Sequence, residues 1–169
     1  ISYFKKGMTE EALEELKLVS EGIKDDGELH HYLGKAYYEN DKYDDAVTEL
    51  LAAVSYYKTN QTTEKADVYN DLGLAYKKKN AFTESLSAFK ESLELNPSVA
   101  YTHYNLGLLY YEKDMQDECI TSLKKANKLD PNSADTHFVL GMAYYKKKAF
   151  DKAINEFKQT IELNPKDAE

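Results

Sequence analysis

Four histidines and a single cysteine are the side chains in this 169-residue sequence most suited to metal ligation or nucleophilic chemistry. His103 and His137 stand 34 positions apart, and His30 keeps the same phase once a short insertion is allowed for. If each histidine sits on its own helix, that phase spreads them about one helix diameter, ~10 Å, or more apart. Joint ligation of one ion is then out of reach. His31 is the neighbour of His30 and points to another side of the same helix. Cys119 has no second cysteine to pair with, which excludes an intrachain disulfide and leaves the compartment open. Its place among small residues reads as packing rather than redox chemistry. The sequence contains no HExxH, no cysteine cluster, no glycine-rich phosphate loop and no GxSxG. No catalytic residue, metal site or cofactor is therefore expected. The regular spacing is the stronger signal, and it leads to the elements that carry these side chains.

Residues 134–167 show the pattern most fully. His137, Leu140, Gly141 and Tyr144 recur at the three- and four-residue spacing of one helix face. After a break at Lys148–Ala149, Phe150, Ala153, Phe157 and Ile161 make a second face. Asn164–Pro165 ends that helix, because the residue before proline is pushed out of the helical region. The unit is a helix hairpin, and it recurs. Leu106–Gly107 with Tyr110, and Leu72–Gly73 with Tyr76, lie one and two periods earlier. Pro97, Pro131 and Pro165, the only prolines, close the units in one phase. Leu33–Gly34 with Tyr37 comes five residues too early, so 61–65 (QTTEK) reads as an insertion after a unit at 27–60. That unit has Lys58 in place of the proline. Its second helix is expected to run on past Tyr57 and turn near Asn60–Thr63.

The resulting organisation is a partial repeat at 1–26, full repeats at 27–60, 66–99, 100–133 and 134–167, and the start of a further helix at 168–169. In the partial repeat, Tyr3, Gly7, Ala12, Leu16 and Val19 fall where the end of a first helix and a second helix belong. Tyr3 and Phe4 would lack their usual cover. The half-hairpin and the missing initial methionine point to an array cut from a longer chain.

These residues resemble the tetratricopeptide repeat, a family of 34-residue helix-turn-helix units. Leu140, Gly141, Tyr144, Ala153, Phe157 and Pro165 match its signature, with Thr160 replacing the second alanine. The preceding unit carries Leu106, Gly107, Tyr110, Ala126 and Pro131, with Cys119 and Leu123 at other signature places. The unit at 66–99 carries Leu72, Gly73, Tyr76, Phe89 and Pro97, with Ser85 and Ser92 as its small residues. The resemblance covers essentially the whole chain. It implies an all-α, right-handed α-solenoid of stacked hairpins, with first helices lining the inner surface, and a protein-binding rather than catalytic role. Physics supports the residue choices independently. A glycine in mid-helix costs about 1 kcal/mol against alanine. Four at one phase are explained if the second helix approaches closely, with Ala46, Ser85, Cys119 and Ala153 supplying the facing half of the contact. One hairpin cannot bury its own stripe, so neighbours must stack.

Composition narrows the partners. The net charge of −8 opposes a nucleic-acid footprint, and all 22 basic residues are lysines, which removes the bidentate guanidinium fork. No run approaches the ~18 apolar residues of a membrane-spanning helix. The lysine runs 77–79 and 146–148 end first helices, where they interact favourably with the helix dipole. The place one residue after each packing aromatic or histidine should face the groove. In the last two units the groove positions hold Tyr104, Leu108 and Tyr111, then Phe138, Met142 and Tyr145, with Tyr101 nearby. In the earlier units they hold His31, Lys35 and Tyr38, then Asn70, Leu74 and Lys77. The expected groove is aromatic and apolar toward the C-terminus and polar toward the N-terminus. Family members that clamp acidic chaperone tails use lysine, asparagine and arginine from successive units. Here those places hold His31, Lys35, Asp71, Tyr101 and Asn105, which does not reproduce the clamp. The expected function is a scaffold that takes a protein or peptide partner on Tyr101, Tyr104, Leu108, Tyr111, Phe138, Met142 and Tyr145. The alternatives are a self-association module, or the substrate-recruiting arm of an enzyme whose catalytic domain lies elsewhere.

Overall fold

A computed structural model describes residues 14–16, 18, 26–57 and 62–164. The expectations for Tyr3, Phe4, Gly7, Ala12, Val19, Lys58, Asn60, Gln61 and Pro165–Glu169 lie outside them. All regular structure among the described residues is helical. Unit 1, up to Pro97, contains α1 (Gly27–Glu39), α2 (Tyr43–Tyr56), α3 (Thr62–Lys78) and α4 (Phe82–Leu95). Unit 2, from Ser98, contains α5 (Ala100–Glu112), α6 (Gln116–Leu129), α7 (Ala134–Lys146) and α8 (Phe150–Leu163). Consecutive helices pair as antiparallel hairpins, and within each unit the second hairpin stacks on the first. The all-α class and the stacked hairpins are those the repeat implies.

Each hairpin turn is built alike. Asp41, Asn80, Asp114 and Lys148 occupy one repeat place and all adopt left-handed φ of 56–59°. There the chain doubles back and the first helix's last carbonyls are satisfied. Lys42 N–H bonds Tyr37 O at 2.9 Å, and the equivalent bonds run from Ala81 to Tyr76, Met115 to Tyr110 and Ala149 to Tyr144. Asp and Asn tolerate this region better than other side chains. Lys148 carries the strained conformation without that help.

Behind the turns, the two helices of each hairpin touch where the side chain is missing. A Cβ built on Gly34 would sit 2.6 Å from Leu50 Cγ, and one on Gly73 2.6 Å from the Phe89 ring. On Gly107 it would meet Leu123 at 2.7 Å, and on Gly141 the Phe157 ring at 2.5 Å. Ser85 uses the close approach to donate its hydroxyl to the Gly73 carbonyl at 2.7 Å.

Two expectations about the insertion are corrected. First, α2 does not run on: it ends at Tyr56, and Tyr57 takes extended angles (φ −69°, ψ 122°) without help from a proline. Tyr57 packs against the unit 1 core. His30 also stacks on Tyr56 with ring centroids 5.2 Å apart. Second, the turn expected near Asn60–Thr63 does not reach Thr63: the helix α3 already begins at Thr62, so four of the five QTTEK residues add a turn to its front. Glu64 in that added turn suits the positive end of the helix dipole.

The glycine contacts are unequal in a testable way. Phe89 is fully buried and has nowhere to go, whereas Phe157 is partly exposed and can swing outward. Gly73→Ala should cost about 1–3 kcal/mol by overpacking. Gly141→Ala should be at least about 1 kcal/mol milder, since alanine's helix preference offsets a cheaper shift. Urea unfolding of the two variants checks the order.

Candidate functional site

In unit 1 the outward residues of the first helices are polar and mutually engaged. His31 Nε2 lies 2.8 Å from Asp71 Oδ2, with Lys35 Nζ 4.0 Å from the same oxygen. Asn70, expected to face the groove, is buried instead and donates to Asp71 Oδ1 at 3.2 Å. Burial, then Glu39, Asp71 and Asp41, push the Tyr38 hydroxyl above the usual tyrosine range. A partner here would have to displace satisfied polar contacts.

Unit 2 differs. Tyr104, Leu108 and Tyr111 of α5 are half-buried and pack on the core cluster that includes Val139, Leu140, Ala143 and Tyr144 of α7. Tyr111 Oη lies 3.9 Å from Met142 Sδ, and Lys146 Nζ stands 4.2 Å above the Tyr111 ring. Burial, with Asp135 nearby, raises the Tyr104 hydroxyl. Tyr101 at the start of α5 is exposed. The structure thus gathers Tyr104, Leu108, Tyr111 and Met142 along the α5–α7 line, with Tyr101 at its end. Phe138 and Tyr145 are exposed and lean toward α8. The Phe138 ring lies 6.0 Å from that of Phe157, and Tyr145 meets Phe150 edge-on at 5.6 Å. The seven residues therefore divide between two adjoining surfaces of unit 2. Sequence spacing alone did not separate them, because the same repeat place is covered on α5 and uncovered on α7.

Two of the histidines serve their own hairpins. His30 Nδ1 lies 2.6 Å from Glu49, and His137 Nδ1 lies 2.7 Å from Glu156 at the same repeat place. His137 Nε2 also faces the Pro131 carbonyl at 3.2 Å. Each pair ties a first helix to the second helix of its own hairpin. Among the described residues no group of three or more potential metal ligands converges, and no helix is long and apolar enough to cross a membrane.

The lysine runs do more than face a dipole. Lys79 pairs with Asp44 and Lys147 with Asp117, one repeat place reaching the same acidic place of the preceding hairpin. Lys146 adds Asp114 at 2.6 Å. These pairs are too exposed to hold the stack by themselves, but they register one hairpin on the next. The signal was in the sequence as an acid near the start of the second helix and a lysine one repeat later.

Within each unit two helical hairpins are stacked, and that arrangement defines a helical repeat fold. The chain belongs to the tetratricopeptide repeat family: models described as TPR repeat and tetratricopeptide repeat match residues 73–114, 100–133 and 134–167, together more than half of it. Such repeats are protein-interaction scaffolds. Among solved structures it is similar to MamA, at 27% identity and a TM-score of 0.83 over 99% of this chain and 95% of that one. A MamA from Desulfovibrio magneticus RS-1 shares the fold at 24% identity, TM-score 0.81, over 97% and 90% of the two chains. YrrB, described as a TPR protein with an unusual peptide-binding site, shares it at 20% identity, TM-score 0.73, over 97% and 82%. No curated protein sequence matches the chain.

Two outcomes check the structural assignment of these polar groups. Glu156→Ala should cost about 1–3 kcal/mol by leaving the buried His137 nitrogen without its acceptor, and Glu156→Gln clearly less, read by urea unfolding. Burial pushes the Cys119 thiol up to about 11, against a smaller opposing effect of Lys146. A raised pKa favours the protonated, folded form. That stabilisation is complete below the thiol's unfolded value and is lost as pH rises through about 11. At pH 8 the folded chain should therefore react with a disulfide reagent at least a hundredfold more slowly than the urea-unfolded chain.

Proposed function

We propose that the chain is a non-enzymatic scaffold that holds a partner peptide or helix on the first-helix surface of unit 2. Tyr101, Tyr104, Leu108, Tyr111 and Met142 form the floor, and Phe138 and Tyr145 form its margin toward α8. The observation that carries this reading is the contrast between the units. His31, Lys35 and Asp71 satisfy one another in unit 1, whereas the corresponding places in unit 2 hold aromatic and aliphatic side chains. Contiguous apolar surface of this kind marks interaction sites. Tyrosine suits such a site because it offers large contact area, a polar tip and few rotamers to freeze. A partner with apolar anchors at helical or extended spacing fits it best.

The test compares wild type with Tyr101→Ala, Tyr111→Ala, Tyr145→Ala as baits in source lysate, after circular dichroism shows equal helicity. A partner retained by wild type and depleted at least tenfold on the variant is the expected result. Identical recoveries from both baits would place partner binding on another face. Light scattering on the same baits separates the self-association reading, which requires a mass that rises with concentration and falls in the variant.

A further inference from the structure

The insertion before α3 builds one wall of a cleft in unit 1. The cleft, of about 780 Å³, lies between the starts of α1 and α3 and the end of α2. That volume is within the range of ligand sites, about 300–1,000 Å³. Asp26 and Glu28 line it at the start of α1, and Glu64 and Asp67 line it from α3, Glu64 being part of the inserted 61–65. The corresponding places of unit 2, counted from its own first helices, hold Val99, Tyr101, Asn132 and Asp135. The acid excess thus belongs to this cleft and not to the repeat. Helix starts account for part of it. Asp26 caps α1 by accepting the Glu28 N–H at 2.9 Å, and Glu28 and Glu64 suit the helix dipoles. They do not account for the aromatic wall that faces the same opening.

Tyr32, Tyr56 and Tyr57 supply that wall, and the last two are held from behind. A Cβ built on Gly27 would sit 3.0 Å from Tyr56 Cβ and 3.6 Å from the Tyr57 ring, so α1 starts hard against both. His30 stacks on Tyr56 and is itself fixed by Glu49 at 2.6 Å. Tyr57 packs on the core. Burial, then Glu28, Glu64 and Asp26, raise its hydroxyl above the usual tyrosine range. The basic residues in the lining are directed elsewhere: His31 and Lys35 both face Asp71, at 2.8 and 4.0 Å. Rings and carboxylates around one opening select a cation, because a ring face attracts positive charge. A guanidinium meets both at once, stacking flat on a ring while its fork pairs a carboxylate. The chain has no arginine, so a second copy cannot supply that group. We propose that this cleft binds an arginine side chain on a segment of a different protein, held between the rings of Tyr56 and Tyr57 and the carboxylates of Glu28 and Glu64. The His31–Asp71 pair stays intact, and the site is separate from the α5–α7 floor.

The probe is the peptide acetyl-Gly-Ala-Arg-Ala-Gly-amide, titrated at pH 7 and low salt into the full 169-residue protein carrying ¹³C-labelled tyrosine rings. The expected result is a saturable shift of the Tyr56 and Tyr57 ring signals. The same peptide with lysine should bind at least about threefold more weakly, since an ammonium lacks the flat fork. The same peptide with citrulline, which keeps the shape and loses the charge, should give no shift. Glu28→Gln, Glu64→Gln should weaken binding at least about fivefold with unchanged circular dichroism, whereas Glu91→Gln, Glu94→Gln on α4, an equal charge change outside the cleft, should alter it less than about twofold. Absence of a saturable shift overturns the proposal, as does equal binding by the citrulline peptide. Equal weakening in the two double variants also overturns it, because the peptide would then respond only to net charge. A lysine peptide that binds as tightly as the arginine peptide overturns the choice of guanidinium.

Discussion

Everything in this molecule depends on the absence of four Cβ atoms. At Gly34, Gly73, Gly107 and Gly141 a leucine or phenylalanine from the second helix occupies the space that a side chain would take, 2.5–2.7 Å from where it would begin. This contact closes each hairpin tightly enough for Ala46, Ser85, Cys119 and Ala153 to be buried. It also leaves one apolar flank that the hairpin cannot cover by itself. The next hairpin covers it, so the unit of stability is the pair rather than the repeat. Buried Leu50 and Val47 in one unit, and Leu123 and Ile120 in the other, are the product of that dependence.

Surface character follows from where the rule lapses. First helices carry both the packing stripe and the residues left outside it, so whatever the repeat leaves unpacked becomes surface. In unit 1 that surface is neutralised by His31, Asp71 and Lys35 acting on one another. In unit 2 it is tyrosine, leucine and methionine, and on the last hairpin it extends to Phe138, Ile154 and Ile161. Burial keeps the Cys119 thiol protonated, and His30 and His137 each face a glutamate of their own hairpin. The two histidines and their glutamates recur at the same repeat places, as parts of the hairpin.

Much of this was legible from spacing. The period, the glycine phase, Pro97 and Pro131 as closers and the all-helical class follow from patterns in which local preference and global packing agree. What spacing could not show was context. Tyr57 ends α2 in extended conformation with no proline to announce it, and packs against the unit 1 core. QTTEK reads as an insertion because it disrupts the period, yet Thr62–Lys65 start a helix and simply lengthen α3. Asn70 shares its phase with His31 and Phe138 but is buried against Asp71. Phe138 and Tyr104 are indistinguishable by phase, and only the presence of α7 over one and of no described helix over the other separates them.

The central claim is that each hairpin is held by the one stacked on it, and that the α7–α8 hairpin is the least supported of unit 2. Native-state hydrogen exchange in low urea measures this directly, since it assigns an opening free energy to each helix. The α8 amides, around Ile154 and Ile161, are expected to exchange through a partial opening well below the free energy of α6 amides around Ile120 and Leu123. Equal protection of α8 and α6 would contradict it, because a face with half-exposed isoleucines would then be no less stable than one that α7 covers.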